Sequence, residues 1–140
     1  MTRTYIDTSA FIRRLIGDAP GHAAIAALLA APDRRLVSSE ILWLEAARTG
    51  LRLARENPSL ENLPSAIDRA LAAVELVALD RTILAVARNL PEIVKSLDAI
   101  HIATVLTLGD SLDDVLTCDA RMGGILGARG FTVVDVSTSP

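Results

Sequence analysis

The sequence predicts an α/β fold: one domain over residues 1–140, with a central parallel sheet flanked by helices on both faces, an α/β/α sandwich. Three observations predict it. Short runs rich in Val, Ile and Leu alternate along the chain with Ala/Leu stretches of helical length, the order that builds parallel sheets. Two of those runs, RTYID at 3–7 and VLTCD at 115–119, finish on an acid that leads straight into helix-forming sequence. That is how strand-to-helix junctions look at the carboxyl edge of such a sheet. The chain is also 51% hydrophobic and only 3% aromatic, so a single core can be built from Ala, Leu, Val and Ile, and 140 residues is long enough to hold one.

The elements follow in order. Residues 3–6 read as the first strand, and Asp7, Thr8 and Ser9 offer oxygens to start a helix over 9–16. After the loop GDAPGH comes a helix over 23–30. LVSS at 36–39 is a short strand whose serine pair can cap the helix over 40–55. Two prolines and two asparagines make 56–65 a loop between helices, too short for a domain linker. A helix over 66–74, a strand over 75–79 and a helix over 81–90 come next. Ser96 is expected to cap a helix reaching residue 108. A strand at 115–118, a short helix over 121–126 and a strand at 131–136 complete the chain. No internal repeat and no low-complexity segment interrupts it.

Composition excludes several functions. The longest apolar run, AAIAALLAA at 23–31, stops at Pro32 and is too short to span a bilayer, so no membrane attachment is expected. The N-terminus enters a strand without the basic and apolar regions of a signal peptide. One cysteine, Cys118, cannot form an internal disulfide, which fits a cytoplasmic location. The net charge of −3 gives no global basic field for nucleic acid, although 13 of the 14 cations are Arg, the residue suited to phosphate. A mean hydropathy of +0.39 is high for a monomer and points to apolar surface covered by another chain, as do the apolar faces over 23–29 and 41–51.

The acids carry the chemistry. Asp7 and Asp119 each end a strand, Asp98 falls in the first turn of its helix, and Glu45 lies one and a half turns into another. Singly, each has a structural explanation: Asp7 and Asp119 as N-caps, Asp98 as an acid at the positive end of a helix dipole, Glu45 as the partner of Arg48. Together, three of them fall on the one edge where parallel strands end and their helices begin. Carboxylates crowded there repel one another unless a cation holds them, and a hard divalent ion, Mg²⁺ or Mn²⁺, suits an oxygen site of this kind.

The stretches YIDTSAFI, VSSEILWLEAAR, SLDAIHIATVL and VLTCDARM resemble, in order and spacing, the successive motifs of PIN-domain ribonucleases, and more narrowly of VapC-type toxins. The resemblance covers essentially the whole chain and implies a single PIN-like domain. It implies that the acidic quartet is Asp7, Glu45, Asp98 and Asp119, which would ligate metal and carry catalysis. Glu40 competes for the second place. It lies about 140° around the helix from Glu45, so only one of the two can face the site, and the family's Ser-then-Glu spacing favours Glu45. Cys118 departs from the family, which often has a bulkier residue there; a small buried side chain is expected to fit. The resemblance further implies Mg²⁺-dependent (Mn²⁺ being the alternative) cleavage of RNA, a VapB-type antitoxin that neutralises it, and a homodimer. Asp7 and Asp98 are the expected direct ligands, and Thr117 and Ser9 could orient a water. A non-catalytic PIN-like interaction module, or a PIN nuclease without an antitoxin, is the alternative.

Other chemistries lack their residues. One Cys and two His make no zinc site of ordinary spacing. There is no G-x-S-x-G turn, P-loop or G-x-G-x-x-G, and a receiver domain would need paired acids after the first strand and a late lysine. His101, three residues after Asp98, reads as a packed histidine. His22 sits in a loop. Arg48, Arg52 and Arg55 share a helical stripe with Glu45 and, with Arg13 and Arg14, either lead phosphates toward the acids or form a solvated face.

Overall fold

A computed structural model of the chain describes residues 1–136. Five parallel strands form one sheet in the order β3-β2-β1-β4-β5: β1 (Thr2–Ile6), β2 (Arg34–Ser39), β3 (Val74–Val77), β4 (Asp114–Thr117) and β5 (Val133–Asp135). β1 lies at the centre, pairing Tyr5 with Val37 on one side and with Val115 on the other. Because side chains alternate across a strand, neighbouring residues serve opposite faces. Ile6 and Leu116 pack under α1 (Thr8–Arg14), α2 (His22–Leu29), α3 (Ile41–Glu56) and α4 (Leu63–Leu71), with Phe11, Ile25, Leu42 and Ile67. Tyr5 and Val115 pack on the other face, under α6 (Ser96–Leu108) and α7 (Ala120–Ala128), with Ile102, Val105 and Leu126. α5 (Arg81–Arg88) leads into α6. The predicted sandwich is the observed one.

Most boundaries fall within a few residues of expectation, and at three helix starts the local chemistry explains the difference. α4 begins at Leu63, inside the expected loop, because Pro64 stands in its first turn, where the missing N–H costs nothing. The rest of that loop holds a single 3₁₀ turn, Pro58–Leu60. Ser96 does not cap α6. The cap position is Lys95, in extended conformation, and no side chain bonds the first turn. On α3 the serine pair acts as expected in part: Ser39 Oγ accepts from Ile41 N–H at 3.1 Å, while Ser38 donates to the Ile6 carbonyl at 2.7 Å. α3 and α4 approach so closely at Gly50 that a Cβ there would stand 2.3 Å from Ile67 Cδ1. No helix among the described residues is long and apolar enough to cross a membrane.

Several large apolar side chains stay outside the core. Trp43 and Leu44 of α3 are 64% and 51% exposed, and they border a groove with Ile41, Leu76 and Leu79. Leu84, Ile93 and Leu97 form a second set around the α5–α6 connection. The face expected over 23–29 shows mainly alanine to solvent, with Ile25 buried.

Position on α3 should therefore decide the cost of losing a leucine. Leu42, fully buried, should lose about 2–5 kcal/mol on replacement by Ala. Two residues on, Leu44→Ala should stay within about 0.5 kcal/mol of the parent. Urea unfolding of the two variants compares them directly.

Candidate functional site

The helices connecting β1 to β2 and β2 to β3 lie on one face and the helix connecting β4 to β5 lies on the other, so the winding reverses between β1 and β4. In open α/β sheets the crevice at such a reversal, outside the carboxyl ends of the strands, is where ligands bind. Asp7 follows β1 and Asp119 closely follows β4. The two acids therefore flank that crevice.

Asp7 is 2% exposed, and its burial is matched by donors. Oδ1 accepts from Ala10 N–H at 2.9 Å and from the Ser9 hydroxyl at 2.8 Å. Oδ2 accepts from the Thr117 hydroxyl at 2.5 Å. Thr117 and Ser9 in turn accept the N–H groups of Asp119 at 2.9 Å and Cys118 at 3.2 Å. Both hydroxyls thus tie the end of β1 to the end of β4, and both donate to Asp7. Burial pushes the Asp7 carboxyl above the ordinary carboxylate range, against the opposing pull of its Thr117 and Ala10 bonds. Asp7 caps α1 and faces the crevice at once.

Glu45 reaches the same edge from α3. Its Oε1 accepts from the Thr8 hydroxyl at 2.8 Å and meets His101 Nε2 at 2.7 Å. Burial would raise its carboxyl. The bond from His101, the charge of that ring whenever it is protonated, and the Thr8 hydroxyl together outweigh burial and hold it below the usual value. None of these bonds comes from Arg48, the partner that sequence spacing suggested. Glu40 turns elsewhere, accepting from Leu79 N–H at 3.3 Å. His101 is 2% exposed, and its Nδ1 lies 2.7 Å from the Tyr5 hydroxyl. Sequence reasoning placed it in the packing. The only signal for more was its spacing of three from Asp98.

Asp98 and Asp119 are half-buried. Asp119 Oδ1 caps α7, accepting from Arg121 N–H at 2.9 Å and Met122 N–H at 3.1 Å. The Asp98 carboxyl is raised first by burial and then by the negative charge of Asp119, with Glu45 and Asp7 adding to it and His101 opposing. One acid thus senses the other three, so all four occupy one electrostatic neighbourhood. Arg48, Arg52 and Arg55 line a groove along α3, where Arg52 also pairs with Glu56 at 3.3 Å.

Among the described residues, no three His, Cys, Asp or Glu side chains are grouped so as to hold a metal ion. The donor chemistry suits an ion held by fewer protein oxygens and more water. Glu45 Oε2, Asp119 Oδ2 and both Asp98 oxygens accept no hydrogen bond from the described residues. A small divalent ion that keeps several waters needs only one or two carboxylates in direct contact. Thr117 and Ser9 spend their protons on Asp7, so they orient that acid rather than a water.

Residues 4–125 match the family described as PIN domain. The chain is 32% identical over 135 residues to Ribonuclease VapC46 of Mycobacterium tuberculosis, covering 96% of this chain and 98% of that protein. Among solved structures it is similar to VapBC2 from Rickettsia felis bound to a DNA fragment from their promoter, with a TM-score of 0.67 and 12% identity over 96% of this chain and 98% of that one. It is similar also to VapC20 of Mycobacterium tuberculosis, a Sarcin-Ricin loop cleaving toxin, with a TM-score of 0.66 and 16% identity over 94% and 98%. FitAcB from Neisseria gonorrhoeae gives a TM-score of 0.63 and 18% identity over 96% and 98%.

The opposite shifts of two acids give opposite pH dependences in the metal-free protein. Asp7, raised in the fold, contributes stability that is present below its unfolded value and lost as pH rises through its folded one. Glu45, lowered in the fold, contributes stability that is present above its unfolded value and lost as pH falls through its folded one. As pH rises from about 3, Glu45→Gln should therefore fall behind the parent until about pH 5, whereas Asp7→Asn should gain on the parent from about pH 4 upward. Urea midpoints measured across that range in EDTA give both slopes. Parallel slopes would contradict the electrostatics described.

Proposed function

The chain belongs to the PIN domain family, and from that premise we propose that it is a VapC-type endoribonuclease that cleaves RNA at the rim formed by Asp7, Glu45, Asp98 and Asp119. Its toxicity is held in check by a VapB-type antitoxin. What supports this reading is that Asp7 and Asp119 follow β1 and β4 at the crevice where the sheet reverses, that Glu45 reaches Thr8 beside Asp7 at 2.8 Å, and that the charge of the other three acids helps raise the Asp98 carboxyl.

The residues divide the work. Asp7, clamped by three donors, and Asp98, unclamped, are the direct holders of a divalent ion, Mg²⁺ or Mn²⁺. Glu45 and Asp119 each keep one oxygen without a hydrogen bond from the described residues, available to hold water or to complete the ion's surroundings. When bound, such an ion offsets the charge that develops on the phosphate and makes a water more acidic. Glu45, held below the usual carboxylate range, stays an acceptor at neutral pH and can receive a hydrogen bond from the attacking water. Arg48, Arg52 and Arg55 offer guanidinium groups along the approach, suited to the phosphates flanking the cut.

The two exposed apolar surfaces support partners. One, around Trp43 and Leu44, and the other, around Leu84, Ile93 and Leu97, serve a homodimer contact and a groove for an antitoxin helix. VapBC2, which shares the fold, supports a VapB-type partner. The substrate places the protein in the cytoplasm.

Purified protein incubated with total RNA should cut at defined positions in Mg²⁺ and stop in EDTA, with the new ends mapped by sequencing. Asp7→Asn and Asp98→Asn should each lower cleavage by at least about 100-fold and relieve growth arrest on expression. Cleavage that persists in excess EDTA would sink the metal-dependent reading. Co-expression with the small protein encoded beside it should suppress cleavage and give a larger complex in light scattering than the dimer of the chain alone.

A further inference from the structure

We propose that Tyr5 and His101 form a one-way hydrogen-bond relay that positions Glu45, a role that rests on Glu45 belonging to the metal-holding rim. The relay begins at the backbone. Ser39 N–H donates to the Tyr5 hydroxyl at 3.2 Å, so the phenol's own proton is left for another acceptor. Ser38 and Thr104 spend their own protons on the Ile6 and Ile100 carbonyls, at 2.7 Å each, so neither hydroxyl donates to the phenol. The ring nitrogen beside the phenol oxygen is His101 Nδ1, at 2.7 Å, and in the relay it takes that proton. Tyr5 is fully buried, and burial holds its proton in place far above the usual range.

An imidazole that accepts at Nδ1 carries its proton on Nε2. That N–H points at Glu45 Oε1, 2.7 Å away, with the Thr8 hydroxyl oxygen a second neighbour at 3.2 Å. Thr8 donates to the same Oε1 at 2.8 Å. Two donors therefore fill Oε1, and Oε2 accepts no hydrogen bond from the described residues. Three elements from both faces of the sheet are joined in one chain: β1 through Tyr5, α6 through His101 and α3 through Glu45. A carboxylate on a mid-helix position would otherwise rotate about its side-chain bonds. Gripped at one oxygen, it presents the other in one direction, the ordering that supporting hydrogen bonds give to metal-binding side chains. His101 is thus a positioning residue. Its partner His22 in composition has the opposite geometry, with Nδ1 2.9 Å from the Arg13 carbonyl, which requires a proton on Nδ1.

Two measurements test the relay. With only two histidines in the chain, imidazole ¹⁵N spectra of the metal-free protein should show one Nε2–H ring and one Nδ1–H ring, and His22→Gln assigns them. A His101 that is protonated on both nitrogens, or on Nδ1 alone, overturns the relay. Binding of Mn²⁺ alone, followed by electron paramagnetic resonance, should weaken about 10- to 100-fold in His101→Leu and about tenfold in Tyr5→Phe, which removes a single oxygen. Cleavage should lose kcat by similar factors while KM for RNA stays within about twofold. His101→Gln, which keeps a donor, should recover part of the loss. Variants that bind Mn²⁺ and turn over like the parent overturn the relay and leave the metal reading intact. A parent protein that binds no Mn²⁺ overturns the metal reading and the relay's role with it.

Discussion

The structure depends on one buried carboxylate. Asp7 stands at 2% exposure at the end of the central strand, where an unpartnered charge would cost several kcal/mol. Three donors offset that cost, and two of them, Ser9 and Thr117, are themselves gripped by backbone N–H groups that follow β4. The bond from Thr117 spans 110 positions of sequence. It fixes the ends of β1 and β4 against each other at the place where the sheet changes its winding direction. The crevice has a defined shape because its floor is pinned by this acid.

Above that floor, the two helix layers meet. α3 comes over one face and α6 over the other, and Glu45 and His101 close the distance between them at 2.7 Å. The carboxyls at this edge are pushed apart in proton affinity by their surroundings. Burial raises Asp7 and, with the charge of its neighbours, Asp98, whereas the bonds from His101 and Thr8 lower Glu45. Acids separated in this way within one cleft have different tasks. The repulsion among them is a local loss of stability that a core of Ile, Leu and Val elsewhere has to outweigh, which is a common arrangement at functional sites.

The sequence made the sheet and three of its edge acids legible because both signals are local. Asp7 and Asp119 stand next to the strands they end, and Asp98 lies within the first turn of its helix. Pro64 misled because the same residue that breaks a helix interior also starts one, and only the fold says which. Ser96 misled because a good capping residue does not cap from inside the helix. The partners of Glu45 were out of reach altogether: Thr8 and His101 lie 37 and 56 positions away, and only the meeting of α1, α3 and α6 brings them to it. Strand order was equally hidden, since the pairing of β1 with β4 is set by how the crossovers wrap.

The same long reach has a consequence in time. A ribosome makes this chain from Asp7 toward Asp119, and the first acid has no Thr117 to hold it until nearly the whole domain has been synthesised. At translation speeds of roughly 5–20 residues per second, several seconds separate the emergence of the first acid from that of the last. During that interval β1 has only β2 beside it, and the crevice is missing a wall. On the reading proposed above, a nascent chain has no complete rim with which to cut the RNA that surrounds it during its own synthesis. On the same reading the rim closes only when the fourth strand docks, and a neutralising partner is needed from that moment rather than before it.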